Sequence, residues 1–172
     1  LLRRQLHQKI ERPLIILTPK SLLRLPAARS PLSDFTDGQF QEIINDESIE
    51  RSSVKRVILT SGKIYYELLN YRTLNNLTNH AIVRIEQYFP YYSDRMKELF
   101  SGYPNADKII WVQEEPKNMG AWSFLFPKLL NDKLESQKLD YVGRTESPSP
   151  AVGSSKLYLS TQEDIIKRAF NL

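Results

Sequence analysis

The sequence predicts an α/β fold: a three-layer αβα sandwich on a mostly parallel sheet of about five strands. Three observations carry that prediction. Short apolar runs, most of them rich in Val and Ile, are bounded by turn or charged residues. Several lack the alternation of a strand with one wet face, as expected of strands covered by helices on both sides. Stretches with apolar residues every three or four positions lie between them, and the two kinds of segment alternate along the chain.

A polar opening segment, Leu1 to Ile10, reads as a helix. Residues 1–12 are expected to link an upstream domain to residues 13–172, because the chain starts with neither a cap nor a methionine. Leu14-Ile15-Ile16-Leu17 is the first expected strand, followed by a long loop from Thr18 to Ser53. Val54 to Leu59 is the second strand. Lys63 to Asn75 is then a helix with Ile64, Leu68, Tyr71 and Leu74 on one face. Ala81 to Ile85 is the third strand. Ser93 to Phe100 begins on a good N-cap residue and turns Met96, Leu99 and Phe100 inward. Ile109 to Val112 is the fourth strand. Trp122 to Leu134 is a helix with Trp122, Phe126, Leu129, Leu130 and Leu134 on its apolar side, where Pro127 marks a kink or the start of the regular part. Leu139 to Val142 is the fifth strand. A second long loop, Gly143 to Leu159, contains Ser147-Pro148-Ser149-Pro150. The last helix opens on Ser160-Thr161-Gln162-Glu163, a capping-box spacing, and buries Ile165, Ile166, Ala169 and Phe170. Loops this long in a compact domain are functional or pack on a neighbour.

Composition narrows the function classes. The 172 residues suit one domain. No window approaches the ~20 apolar residues of a membrane span, and the basic N-terminus has no apolar stretch for a signal peptide, so a soluble protein without a membrane partner is expected. The lack of cysteine excludes disulfides, thiolate metal sites and cysteine nucleophiles. Both histidines, His7 and His80, read as surface or loop residues, so neither a metal site nor a Ser–His–Asp triad is expected. The net charge of +4 is uneven: Leu1 to Ser30 holds seven basic residues (Arg3, Arg4, Lys9, Arg12, Lys20, Arg24, Arg29) against Glu11. That stretch has no aromatic residue to stack on a base, and no nucleic-acid motif follows. An acidic neighbour or a phosphate-bearing ligand explains the asymmetry without nucleic acid.

In open α/β sheets ligands gather beyond the carboxyl ends of the strands. The residues expected there are Thr18 to Ser21, Thr60 to Lys63, Glu86-Gln87, Gln113 to Pro116, and Gly143-Arg144. Thr60-Ser61-Gly62-Lys63 offers hydroxyls, a glycine and a lysine at a helix N-terminus, where an anion could bind. It is not a GxxxxGK[ST] loop, no GxGxxG exists, and an ordinary turn capped by Ser61 is the alternative. Glu114 and Glu115 are adjacent and should point to opposite sides of the strand, which favours a structural role over paired acid–base chemistry. Trp122 and Phe124 read as core or interface anchors, and exposed members of Tyr65-Tyr66 and Tyr91-Tyr92 would favour a protein partner. No nucleophile–base pair stands out, so no catalytic residue is expected in this chain.

The strings at these junctions are specific. Arg12-Pro13-Leu14-Ile15-Ile16-Leu17-Thr18-Pro19-Lys20-Ser21-Leu22-Leu23-Arg24, Leu59-Thr60-Ser61-Gly62-Lys63-Ile64-Tyr65-Tyr66 and Val83-Arg84-Ile85-Glu86-Gln87 appear in that order. The longest, Trp111-Val112-Gln113-Glu114-Glu115-Pro116-Lys117-Asn118-Met119-Gly120-Ala121-Trp122, follows, and then Val142-Gly143-Arg144 and Ala151-Val152-Gly153-Ser154-Ser155-Lys156. Over nearly its whole length the chain resembles the C-terminal domain of the 2-oxoglutarate dehydrogenases. The resemblance implies a transketolase C-terminal-domain-like fold at the end of a long polypeptide. That polypeptide would decarboxylate 2-oxoglutarate on thiamine diphosphate and magnesium, held by upstream domains at a homodimer interface, with no cofactor in this domain. It would pass the succinyl group to a lipoyl-bearing succinyltransferase within a multienzyme complex of the tricarboxylic acid cycle. The compartment would be a bacterial cytoplasm, or the mitochondrial matrix in a eukaryote.

Some members of that family, notably actinobacterial ones, bind acetyl-CoA as a regulator on this domain. The positions that match are Thr18, Ser61, Lys63, Gln113 and Arg144, with Lys63 and Arg144 suited to phosphates. Ser33 and Asp34 depart from the pattern where a basic residue is expected, and Arg144 stands alone where an arginine pair would strengthen the site. The alternatives are a stand-alone anion- or CoA-binding α/β module and a 2-oxoadipate dehydrogenase domain, whose selecting residues would lie upstream.

Overall fold

The computed structural model describes residues 5–7, 9, 12–16 and 18–171. The structure divides into two compact units, Leu1–Ser30 and Pro31–Leu172. The described part of the first unit carries two 3-10 helices, Lys20–Arg24 and Pro26–Ala28. Most of the expected Leu1–Ile10 helix, and Leu17, lie outside the described residues. Leu14, Ile15 and Ile16 form no strand, and Ile15 is 80% exposed. Pro13 and Pro19, which have no N–H to give a ladder, bracket this run.

In the second unit a single turn, α1 (Ser33–Thr36), precedes β1 (Ile43–Ile44) and a 3-10 turn, Arg51–Ser53. Then come β2 (Arg56–Thr60), α2 (Ile64–Leu74), β3 (His80–Ile85), α3 (Ser93–Ser101), β4 (Lys108–Pro116), α4 (Trp122–Asp132), β5 (Lys138–Arg144) and α5 (Ser155–Asn171). The five strands lie in the order β1-β3-β2-β4-β5; β1 runs antiparallel to β3 and every other pairing is parallel. The expected mostly parallel five-stranded α/β sheet is present. Its fifth member is Ile43–Ile44, from the stretch expected as loop, and not the described part of the first expected strand, Leu14 to Ile16.

Strand residues alternate between two cores. Val57, Leu59, Ala81, Val83 and Trp111 face α3 and α4, where they meet Met96, Phe100, Leu125 and Leu129. Ile58, Ile82, Ile110, Val112 and Val142 face α2 and α5, against Ile64, Leu68, Ile165, Ala169 and Phe170. Burial on both faces explains why these strands read as continuous apolar runs.

Several helix details differ from expectation. At about 3.6 residues per turn, the stripe through Ile64 and Leu68 reaches Arg72 and leaves Leu74 exposed. In α4 the buried residues are Trp122, Leu125, Leu129 and Asp132, while Phe126 and Leu130 stay partly exposed, and Pro127 lies inside the helix rather than at its start. Helix α5 begins at Ser155, so Ser160 is interior and donates to the Leu157 carbonyl (3.1 Å) instead of capping. His80 is not a surface residue: it opens β3, buried edge-on against Phe170, and burial followed by the Arg56 charge lowers its pKa.

The two-residue β1 is anchored by the residues that follow it. Asp46 accepts from the Ile82 amide (2.9 Å), from the Ser48 amide (3.1 Å) and from the Ser48 hydroxyl (2.6 Å), and it pairs with Arg72 of α2. Arg72 also donates to the His80 carbonyl (3.0 Å). Burial opposes the Asp46 charge, but the Arg72, Ser48 and Ile82 hydrogen bonds outweigh it and lower the carboxyl pKa. A depressed carboxyl stabilises the fold above its unfolded pKa, near 3.8, and loses that contribution as pH falls through the folded value. Arg72→Met strands Asp46 in the core and should cost about 3–5 kcal/mol in urea unfolding at pH 7. In the same titration repeated from pH 6 to pH 3, Asp46→Asn should lose part of the acid dependence of the native chain.

Candidate functional site

The carboxyl ends of β2, β4 and β5 carry four of the expected site residues, Ser61, Lys63, Gln113 and Arg144. At the end of β2, Thr60 is buried and donates to the Val112 carbonyl (2.9 Å), linking β2 to β4. Gly62, with φ of 72°, makes the turn into α2 in a conformation that favours glycine. Lys63 occupies the N-cap position with no side-chain cap bond, so Ser61 is not the cap; its hydroxyl hydrogen-bonds with Tyr88.

Lys63 does not reach out to solvent. Its Nζ bonds to Glu67 on the next turn of α2, to the Tyr158 hydroxyl of α5 (2.7 Å) and to Glu114 of β4 (3.2 Å). Burial opposes the ammonium, yet the hydrogen bonds to Glu67 and Tyr158 and the two carboxylate charges raise its pKa above the ordinary value. Glu114 also accepts from Gln162 Nε2 (2.9 Å) and the Tyr158 hydroxyl (3.3 Å). One cation thus stands between two carboxylates, which weakens the field it offers an incoming anion. Glu115 points away and is exposed, as the alternation of the strand requires.

Gln113 is buried and fully engaged. Its Oε1 accepts from Trp111 Nε1 (2.8 Å) and from the Trp122 amide (3.2 Å). Its Nε2 donates to the carbonyls of Met119 (2.8 Å), Pro116 (3.0 Å) and Glu115 (3.3 Å). Gly120, at φ of 67°, lies over this amide, and a Cβ there would stand 2.9 Å from both Gln113 Oε1 and Nε2. Gly143 plays the same part on β5, where a Cβ would collide with the Tyr141 hydroxyl. That hydroxyl donates to the Arg144 carbonyl (3.2 Å), and the β4–β5 register shifts between Val112 and Pro116 at this level.

Arg144 donates from Nη1 to the Pro150 carbonyl (2.9 Å) and lines a cleft of about 520 Å³. The cleft lies between Glu114 and Glu115 at the end of β4, residues 150–155, and Tyr158, Thr161 and Gln162 of α5. Thr18 belongs to the first compact unit, exposed just before its first 3-10 helix. Lys63, Glu114 and Arg144 therefore gather on one end of the sheet, whereas Gln113 serves the backbone. The sequence reading missed Glu67, Tyr158 and Gln162. A helix start placed at Ser160 hides Tyr158, and only the folded sheet brings it to Lys63. Among the described residues no group of His, Asp and Glu is arranged to hold a metal ion, and no helix is long and apolar enough to cross a membrane.

Comparison with known proteins gives the frame for this geometry. Residues 29–170 match the family model described as 2-oxoglutarate dehydrogenase C-terminal. The chain is 43% identical over 171 residues to the "2-oxoglutarate dehydrogenase E1 component" of Cupriavidus necator, covering 99% of this chain and 18% of that protein. It is 42% identical over 175 residues to the protein of the same description from Coxiella burnetii, covering 100% of this chain and 19% of the relative. The chain belongs to the 2-oxoglutarate dehydrogenase C-terminal family. It spans less than one fifth of the length of these relatives.

In this family member, the longest of the resembling strings encodes the Gln113 knot from end to end, Trp111 to Trp122, and Val142-Gly143-Arg144 closes it from β5. Gln113→Met keeps the volume but leaves the indole and Trp122 donors and three carbonyls without their partner. It should cost roughly 2–4 kcal/mol in denaturant unfolding, at 1–3 kcal/mol for each group left unsatisfied with partial relaxation. Gly120→Ala, strained in φ and pressed on the same amide, should destabilise in the same assay by about 1–3 kcal/mol.

Proposed function

We propose that this chain is the terminal, assembly-supporting domain of a polypeptide that decarboxylates 2-oxoglutarate. In this reading thiamine diphosphate and magnesium are held by preceding domains of a homodimer, and the succinyl group passes to a lipoyl-bearing succinyltransferase, in a bacterial cytoplasm. The observation that carries it is a match over the whole chain that covers under one fifth of each dehydrogenase relative. The chain's residues at the carboxyl ends of the sheet bond to one another and hold its end together, which suits a domain that supports chemistry done elsewhere. In calorimetric titration the 172-residue chain should show no thiamine diphosphate binding at millimolar cofactor. The full-length polypeptide should bind it tightly and release carbon dioxide from 2-oxoglutarate in preference to 2-oxoadipate. Tight cofactor binding by the chain alone would overturn the assignment.

A regulatory ligand of the acetyl-CoA type at the crevice of the second unit belongs to the same proposal, with Ser61, Lys63, Gln113 and Arg144 as its expected contacts. Arg144, on the wall of the cleft, is the residue best placed for a phosphate. Lys63 contributes only as Glu67 and Glu114 release it, and Gln113 only as its backbone partners do. Glu114→Gln removes one of the two competing charges, so it should strengthen acetyl-CoA binding several-fold by calorimetry, whereas Arg144→Ala should weaken it. Identical affinities in the native chain and both variants would remove the crevice from the proposal.

A further inference from the structure

We infer that residues 86–92, with Phe89 as anchor, form a docking surface for the preceding part of the same polypeptide. The inference rests on the reading of this chain as the terminal region of a longer protein. Phe89 follows β3 at the carboxyl end of the sheet and is 79% exposed. A single exposed apolar side chain is ordinary, but this one sits on backbone tied down on both sides. On the near side the Glu86 and Gln87 amides donate to the Glu42 carbonyl (2.8 and 3.2 Å), and Tyr88 packs edge-on to the buried Trp111. On the far side the Tyr91 and Ser93 hydroxyls each donate to the Asp132 carboxylate of α4 at 2.7 Å.

The patch extends beyond one ring. Lys128 lies over the rings of Tyr91 (5.5 Å) and Phe124 (4.8 Å), joining the segment to α4, and Arg95 lies over Tyr92 (5.6 Å). Tyr92 and Phe124 are themselves partly exposed. Aromatic rings on a backbone ordered before binding are the arrangement in which few residues supply most of an interface's affinity, because little freedom is lost on docking. Lys128 places positive charge beside the rings, while Arg95 is already paired with Glu42, so the complementary surface is an apolar pocket with a carboxylate facing Lys128. The relatives are more than five times the length matched here, and the rest of such a chain is the surface this patch meets at high effective concentration.

Hydrogen exchange, compared between the 172-residue chain and the full-length polypeptide, tests the assignment. Residues 86–92 should exchange on the order of tenfold more slowly in the full-length protein, and Phe89→Asp should abolish that difference. The same substitution should leave the unfolding midpoint of the 172-residue chain unchanged, which separates lost docking from lost folding. Equal exchange at 86–92 in both proteins overturns the inference, and so does protection in the short chain that grows with its own concentration, since the occupant is then a second copy. Decarboxylation measured on the same full-length preparation keeps the two readings apart. Activity without protection at 86–92 rejects the docking surface alone, and protection without activity rejects the catalytic assignment alone.

Discussion

Gln113 carries a neutral amide whose two polar atoms bond to five groups, and the carboxyl end of the sheet is arranged around it. The end of β4 and the loop after it turn three carbonyls and the first amide of α4 toward the buried Gln113 side chain. Only a side chain that donates and accepts can satisfy both kinds of group. A glutamate would accept but leave the carbonyls unmet, and a buried charge would add its own desolvation cost. The absence of a side chain at Gly120 and Gly143 follows from the same constraint, since one contacts the amide and the other the Tyr141 hydroxyl that closes the neighbouring strand. Residues that look like a ligand crevice when read as a string are thus first of all a way of ending two parallel strands.

A second device finishes the opposite edge of the sheet. Strand β1 pairs with β3 only at Ile43–Ile85 and Ile44–Arg84, which leaves the earlier residues of β3 without a neighbour on that side. Asp46 takes the Ile82 amide and Arg72 takes the His80 carbonyl, so an ion pair continues the ladder where the backbone has stopped. Buried pairs are weak sources of net stability, because desolvation offsets most of their attraction. Their value here is geometric: the edge is covered by side chains with fixed partners, and a bare strand edge is not left open to pair with another chain.

The parts of the fold legible in the sequence are those whose signal is local. Val57 to Leu59 and Ile109 to Val112 are buried on both faces, so their apolar character is continuous and the strands stand out. The same logic misreads Leu14 to Ile16, because apolarity marks a segment that could pair and not one that has found a neighbouring edge. Ile43–Ile44 fails in the other direction: two residues cannot display a period. Of the crevice, the opposed directions of Glu114 and Glu115 follow from strand geometry, and the gathering of Lys63 and Arg144 follows from the parallel topology. The partners that decide what Lys63 does, Glu114 and Tyr158, come from β4 and α5, and no spacing in the chain announces them.

Those partners also decide how the crevice responds to charge. Lys63 ties the start of α2 to β4 and α5 through Glu114 and Tyr158, and Gln162 adds a second bond from α5 to the same carboxylate. An anion that drew Lys63 away would have to compete with two carboxylates already in contact. It would also loosen the first turns of α5, whose Tyr158 and Gln162 line the cleft. Any anion that drew on Lys63 at this end of the sheet would therefore be coupled to the seating of the last helix. Coupling of that kind is a free-energy exchange between one set of contacts and another, so a ligand gains influence over α5 only to the extent that it loses affinity in displacing Glu114.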